Sequence, residues 1–322
     1  MNAPIPLGVI GADRHARAVA GHDAPLSGAR IARWSPSPCG QDRDGANTLA
    51  DGVGAEWSPD WQTLARDPSL PAVLVLSSDP EKGRAVEAAL AAGKVVLCPV
   101  PAATRADDLD RLAAAEGRGH AALISGGALR HTHAGRTALR LVADGALGTL
   151  HSAYAAVRLP RDDRAHPRRA VLEEAAWEVF DVLLTATPAR VRRVHAWSGA
   201  LFEAGVDDTA VSIIRFEDDL IATIELSRCL PASVPSLAVG EVELEIIGSR
   251  QAVRLEPYAA ALGLLTSDAA LLPWVDDPVL FMIQEVVDAV ASGGGRTGAV
   301  PHLRRVAALM DTVRAAGRSA GG

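Results

Sequence analysis

The chain has 322 residues, with 32 basic against 39 acidic side chains (net charge −7); 48% of it is apolar and 22% charged. That balance excludes a disordered or collagen-like chain, and the acidic net charge argues against a nucleic-acid partner. No run of about 20 apolar residues occurs, which excludes a membrane-spanning helix. Met1-Asn2-Ala3-Pro4 lacks the basic start of a secretory leader, so the expectation is a cytoplasmic protein with no membrane partner. Cys39, Cys98 and Cys229 are widely spaced and form no CxxC pair, so neither a disulfide framework nor a metal site is expected.

The first third alternates short apolar runs with helical patterns. Residues 6–10, 29–34, 73–76, 95–98 and 121–124 read as strands buried on both faces. Helical patterns over 82–92, ended by Gly93, and over 105–117 lie between them. The Pro- and Gly-rich stretch 34–54 reads as a long surface loop. Residues 1–125 are therefore expected to form a doubly wound, Rossmann-type dinucleotide-binding domain with a parallel sheet.

From about residue 126 the pattern changes. A helix over 133–144 ends at Gly145, a run over 149–159 leads into an arginine-rich loop, and a helix follows over 170–186. Alternating runs over 190–197, 209–216, 220–226, 241–247 and 252–255, with a tight turn at Asp218-Asp219, predict an antiparallel sheet with one face covered. Asp277-Pro278 opens a helix that stops at Gly293-Gly294-Gly295, and a last helix starts near Pro301. The expectation for 126–322 is a C-terminal α/β domain on an open, mostly antiparallel sheet, with its last helices available to pack back on the first domain.

Five strings in this order resemble the Gfo/Idh/MocA family (glucose–fructose oxidoreductase, inositol dehydrogenase, MocA). They are Gly8-Val9-Ile10-Gly11, the segment from Leu90 to Cys98, that from Arg140 to Gly148, Asp207-Asp208-Thr209 running on to Phe216, and Leu244-Glu245-Ile246-Ile247-Gly248. The resemblance implies a dinucleotide-binding domain, a C-terminal domain whose open sheet often forms an oligomer interface, and hydride transfer between NAD(P) and a sugar or polyol carbon.

Several positions that the resemblance marks as the site carry different residues here. A dinucleotide loop reads G-x-G-x-x-G/A after the first strand, so that a diphosphate can approach the backbone at a helix N-terminus. Beyond Gly8 the loop reads Gly11-Ala12-Asp13-Arg14-His15-Ala16, with Asp13 where the second glycine belongs. A second register, aligning His15-Ala16-Arg17-Ala18 with the string that follows the third glycine, shortens the loop by about one helical turn. A carboxylate at about 4 Å costs a diphosphate around 4 kcal/mol per charge pair at an effective dielectric near 20, before screening; Arg14 offsets part of that. The second strand ends near Ser35 without a ribose-binding carboxylate, and Arg33 and Trp34 precede it, a pattern that suits NADP slightly better than NAD. Ser77 and Ser78 stand where the family has a threonine-proline turn, and Lys82 where it has a histidine. Pro99-Val100-Pro101 replaces Glu-Lys-Pro: the prolines keep the turn beside the cofactor, whereas Val100 cannot donate, accept or titrate. Lys94, the other of the chain's two lysines, starts a strand too far away to substitute.

The family's Asp-x-Gly-x-His-x-x-Asp becomes Glu174-Ala175-Ala176-Trp177-Glu178-Val179-Phe180-Asp181. Glu174, Glu178 and Asp181 share one side of a helix. Lining a cleft, they would crowd and lift one carboxyl toward neutrality, which makes an acid/base candidate; on a solvated face they would not. Arg130 matches a common arginine of the family and, with His131, is expected at the substrate. The basic loop with Arg158, Arg161, Arg164, His166, Arg168 and Arg169 suits either an anionic sugar or a solvated surface.

Three functions fit this pattern. One is an NAD(P)-dependent oxidoreductase acting on a sugar-like substrate, with an altered redox site that uses Glu178 or a water in place of the histidine. Another is a non-catalytic relative that binds a ligand, with or without a dinucleotide, or partners an active homologue in a hetero-oligomer. The last is a lyase or epimerase using the carboxylate cluster. A homo-oligomer through the C-terminal sheet is the expected assembly.

Overall fold

In the computed structural model of the chain, the described residues are 3–21, 26, 28–116, 120–161, 170–202, 205–230, 241–256, 261–264, 270–273, 278–294 and 298–319. Asp277, Gly295, Arg164, His166, Arg168 and Arg169 lie outside them. The chain divides into two compact units, Met1–Ala128 with Asp277–Arg304, and Leu129–Asp276 with Arg305–Gly322.

The first unit carries β1 (Ile5–Ile10), α1 (Arg14–Ala20), β2 (Ala29–Ser35), α2 (Arg43–Val53), β3 (Glu56–Trp57), α3 (Trp61–Arg66), β4 (Ala72–Val75), α4 (Lys82–Ala91), β5 (Val95–Leu97), α5 (Ala106–Glu116) and β6 (Ala122–Ile124). Its strands are all parallel, in the order β3-β2-β1-β4-β5-β6. Strand order reverses between β1 and β4, and in such sheets ligands bind beyond the strand C-termini at that point. Every residue of β4 and β5 is buried, as strands covered on both faces require. Gly8 lies inside β1, where a Cβ would come within 2.7 Å of the Leu64 side chain and 2.9 Å of Leu70. Its smallness lets α3 and the turn after it close on the strand.

The surface loop expected over 34–54 is corrected by α2. Ala46, Leu49, Ala50 and Val53 recur at helical spacing and turn one face onto the core, and Gly54 ends the helix in the left-handed region (φ 67°). Lys94 is buried, and its ammonium donates to the Asp67 and Leu70 carbonyls at 2.5 and 2.6 Å. That lysine therefore braces the α3–β4 turn.

The second unit begins in α6 (Ala128–His131) and continues through α7 (His133–Ala143), β7 (Leu150–Pro160), α8 (Val171–Ala186), β8 (Val191–Gly199), β9 (Thr209–Phe216), β10 (Ile221–Leu230), β11 (Glu241–Gly248), β12 (Ala252–Leu255) and a hairpin of β13 (Ala261–Leu264) with β14 (Ala270–Pro273). The larger sheet runs β12-β11-β7-β10-β9-β8 and is antiparallel except where β7 lies parallel to β10. Alternate residues of β9 and β10 are buried, and α8 packs on that covered face. Trp197, Ile213, Ile221 and Ile247 are exposed on the strands of this sheet. The turn between β9 and β10 places Asp219 at φ 66°.

Two C-terminal helices complete the units. α9 (Pro278–Ala291) sends Val279, Met282, Ile283 and Val286 into the core of the first unit beside Leu74, Leu97 and Ile124. In α10 (Ala299–Ser319), Arg305 donates to the carbonyls of Leu184 and Thr187 at 3.0 and 2.9 Å, placing a cation at the C-terminal end of α8.

Candidate active site

In the first unit the candidate residues gather at the C-terminal edge of the sheet. Gly11 follows β1 at φ 108°, and a Cβ there would stand 2.3 Å from the Leu76 carbonyl oxygen. Its N–H donates to the Ser35 carbonyl, and its own carbonyl accepts from the buried Trp34 indole, both at 2.9 Å. Ala12 is buried, with α2 close enough that a Cβ on Gly45 would be 3.6 Å from it. The turn is therefore tight, closely packed and available to glycine alone.

Asp13 caps α1. One carboxylate oxygen accepts from the amides of His15 and Ala16 at 2.9 and 3.0 Å. These N–H groups are among those a helix N-terminus offers to an anion, and the chain satisfies them with its own carboxylate. Burial pushes the Asp13 carboxyl above its ordinary range, against the lowering influence of the Ala16 and His15 amides, Lys82 and Arg14. The neighbouring Arg14 Nε lies 3.3 Å from the His15 ring.

The other candidates differ in access. Ser35 is fully buried at the end of β2, and its hydroxyl has no hydrogen-bond partner among the described residues. Ser77 is buried and accepts the Asp79 amide at 3.0 Å, whereas Ser78 is exposed. Beyond β5, Cys98 is buried, and Pro99, Val100 and Pro101 form the turn, with the Val100–Pro101 bond cis. Burial first, and the Asp13 charge with it, pushes the Cys98 thiol up to about 11, opposed by Lys82. A nucleophilic role at neutral pH does not suit it.

Asp79 has no signature in the sequence, yet it organises this edge. Its carboxylate accepts from the Cys39 amide at 2.7 Å, the Cys39 thiol at 3.0 Å and the Glu81 amide at 2.7 Å. Burial opposes ionisation, but hydrogen bonds from Cys39, Glu81 and Ser37 outweigh it and hold the carboxyl below its usual range. Asp79 thus ties the loop after β2 to the start of α4. The Cys39 thiol, as donor to that carboxylate, is pushed up to about 11.

In the second unit, α8 presents the carboxylates, and arginines pair with Asp181 and Glu174. Asp181 is fully buried and lies 3.3 Å from Arg130 Nε. The same Nε is 3.1 Å from the ring of His131, which is buried. Glu174 pairs with Arg228 of β10, and neighbouring Glu173 pairs with Arg314 of α10 at 2.7 Å. Glu178 is half-buried between them in sequence. The crowding of like charges that would build an acid/base group is thus relieved by arginines that lie far away in the sequence. Arg161 stacks 4.4 Å over the exposed Phe202 ring and donates to the Cys229 carbonyl at 3.2 Å, so the described end of the basic loop is engaged within its own unit. No cluster of three or more His, Cys, Asp or Glu suited to a metal occurs among the described residues. No helix among them is long and apolar enough to cross a membrane.

A doubly wound sheet with a tight glycine turn after its first strand defines a Rossmann-type nucleotide-binding unit, here joined to a second α/β unit. Residues 7–126 match the family described as "Oxidoreductase family, NAD-binding Rossmann fold", and residues 136–254 match the "GFO/IDH/MocA C-terminal domain". The chain belongs to the Gfo/Idh/MocA family of oxidoreductases. It is 37% identical over 94 residues to inositol 2-dehydrogenase 3 of Saccharopolyspora erythraea, a match spanning 29% of this chain and 28% of that protein. The same fold occurs in a putative myo-inositol dehydrogenase from Sinorhizobium meliloti (TM-score 0.79, 19% identity, 98% of each chain). It also occurs in scyllo-inositol dehydrogenase from Lactobacillus casei with bound NAD(H) and scyllo-inositol (TM-score 0.77, 17% identity, 98% of this chain and 97% of that one).

Proposed function

We propose that the chain is an NAD(H)-binding oxidoreductase of a sugar- or polyol-like substrate whose proton-handling residues are altered, so that turnover is slow. The observation that supports this reading is the β1–α1 turn: Gly11 has a conformation and a closeness to the next strand that only glycine tolerates. The residues fit a dinucleotide at this turn and along the ends of β4 and β5. At the amino end of α1 they fit one only when the Asp13 carboxylate yields its two amides or is neutralised. A bound NAD(H) supplies the hydride acceptor or donor. The chain's own contribution is reduced: Val100 moves no proton, and Asp181 and Glu174 are held by arginines. Glu178, half-buried on α8 at the position where the family resemblance expects a histidine, is the carboxylate proposed for acid/base work, and Arg130 with His131 is the pair for a substrate hydroxyl or carboxylate.

NADP has less support than NAD. Arg33, the cation near the end of β2, is already paired with Glu56 at 3.0 Å and with Asp67. The exposed apolar residues of the larger sheet support assembly through that face with a second copy. A non-catalytic, ligand-binding role is the second reading, favoured by the arginine pairs that occupy two of the three candidate carboxylates.

Titration with NAD+ and NADP+, followed by an assay with myo- and scyllo-inositol, separates these readings. Micromolar to submillimolar NAD+ binding with slow reduction in the presence of a polyol is the expected result. Binding without turnover on any polyol or sugar supports the second reading, and no binding at millimolar NAD+ overturns the first.

A further inference from the structure

Lys82 is the first residue of α4, and its backbone N–H donates to the Asp79 carbonyl at 3.1 Å. The side chain is half-buried, and its ammonium makes no hydrogen bond or ion pair among the described residues. Two costs accumulate there. A cation at a helix N-terminus opposes the helix dipole, and a half-buried cation loses part of its hydration without a direct hydrogen-bonded counter-ion among the described residues.

The neighbours explain what could offset these costs. α4 starts beside the segment that follows β5, where a Cβ on Gly83 would be 3.4 Å from the Ala102 carbonyl oxygen. The Lys82 charge is felt both by the carboxylate of Asp13, after β1, and by the thiol of Cys98, after β5. Lys82 opens the helix that follows β4, beside the segment after β5, at the edge of the sheet where strand order reverses. At this edge the carboxylates of Asp13 and Asp79 contribute negative charge, Asp79 being held by Cys39 and the Glu81 amide, while Lys82 and Arg14 contribute one positive charge each. Arg14 is directed by its contact with the His15 ring. Lys82 is thus the cation left to receive an anion and to offset the Asp13 charge.

We propose that Lys82 is the diphosphate-binding cation of this chain, supplying from the start of α4 the charge that compensates for Asp13 in the β1–α1 turn. This rests on the dinucleotide-binding reading above and assigns it a residue. Its ammonium would donate to a diphosphate oxygen, a hydrogen bond it makes to no other described residue.

Calorimetric titration of the full chain with NAD+, ADP and adenosine tests the assignment, because adenosine carries the base and ribose but no phosphate. Lys82→Met should weaken NAD+ and ADP by roughly tenfold, the size of one charge-assisted hydrogen bond, and leave adenosine unchanged. Lys82→Arg should stay within about threefold of the unsubstituted chain for all three ligands. Lys82→Gln gives a second neutral variant, and a melting curve for each shows that it is folded. Unchanged ADP affinity in a folded neutral variant overturns the assignment, as does an equal loss for adenosine. If the unsubstituted chain itself binds neither NAD+ nor ADP at millimolar concentration, the dinucleotide reading fails first and takes the assignment with it.

Discussion

Gly11→Ala is expected to destabilise the chain by about 3–5 kcal/mol, a large share of the roughly 5–15 kcal/mol that holds a domain folded. Two costs combine. The backbone sits at φ 108°, where an L side chain is strained by about 1–3 kcal/mol. The new Cβ would also lie 2.3 Å from the Leu76 carbonyl oxygen and 2.7 Å from the Ser77 Cβ, and overpacking of that kind adds roughly 1–3 kcal/mol. Relief by shifting the turn would disturb the Gly11–Ser35 and Trp34–Gly11 hydrogen bonds that join β1 to β2. Gly54→Ala is the control, since Gly54 has φ 67° but nothing within 4 Å of its Cβ position. It should cost about 1 kcal/mol. Urea melts of both variants measure the difference, and equal costs would show that Gly11 serves only its backbone angle.

Asp13→Gly should act in the opposite direction on ligand affinity, tightening NAD+ by about 100-fold at neutral pH. The carboxylate now accepts the His15 and Ala16 amides, which a diphosphate would otherwise take. Removing it frees both donors and deletes a repulsion worth around 4 kcal/mol per charge pair before screening, of which about two-thirds is expected to survive at the half-buried site. Glycine also caps helices well, so the stability cost should be only a few tenths of a kcal/mol. The gain should concentrate in ligands that carry the diphosphate: ADP should tighten as NAD+ does, and adenosine should not. A calorimetric series with these ligands checks it; an NAD+ affinity unchanged by Asp13→Gly would mean that the carboxylate does not stand in the ligand's place.

The parallel sheet was legible because its strands are continuous apolar runs ended by turn residues, as in residues 73–76 and 95–98. α2 was hidden because glycines, aspartates and an asparagine surround its small apolar stripe; the spacing of Ala46, Leu49, Ala50 and Val53 was the available signal. The parallel pairing of β7 with β10 had no signal, since alternation within a strand does not say which neighbour it takes. The site divides in the same way. The expected departures at Asp13 and Val100 rest on local strings compared with the family pattern, so they could be read from the sequence. The partners of the α8 carboxylates could not: Arg130 and Arg228 are about fifty residues from Asp181 and Glu174, and only the packing of α8 brings them close. Asp79 was obscured for the same reason, because the loop it holds belongs to another strand.

A carboxylate of Asp13 that takes the place of a bound anion would make NAD+ affinity depend on pH. Burial raises this carboxyl above the ordinary value of 3.8, so the folded state holds its proton more tightly than the unfolded chain does. Asp13's contribution to stability is therefore fully present below the unfolded value and is lost as pH rises through the raised one. A neutral carboxyl no longer repels a diphosphate, so NAD+ should bind more tightly as pH falls through that raised value, with uptake of a proton on binding. Calorimetry of the unsubstituted chain and of Asp13→Asn across this range should show a slope in the first and a flat profile in the second. Identical profiles in the two proteins would contradict the account.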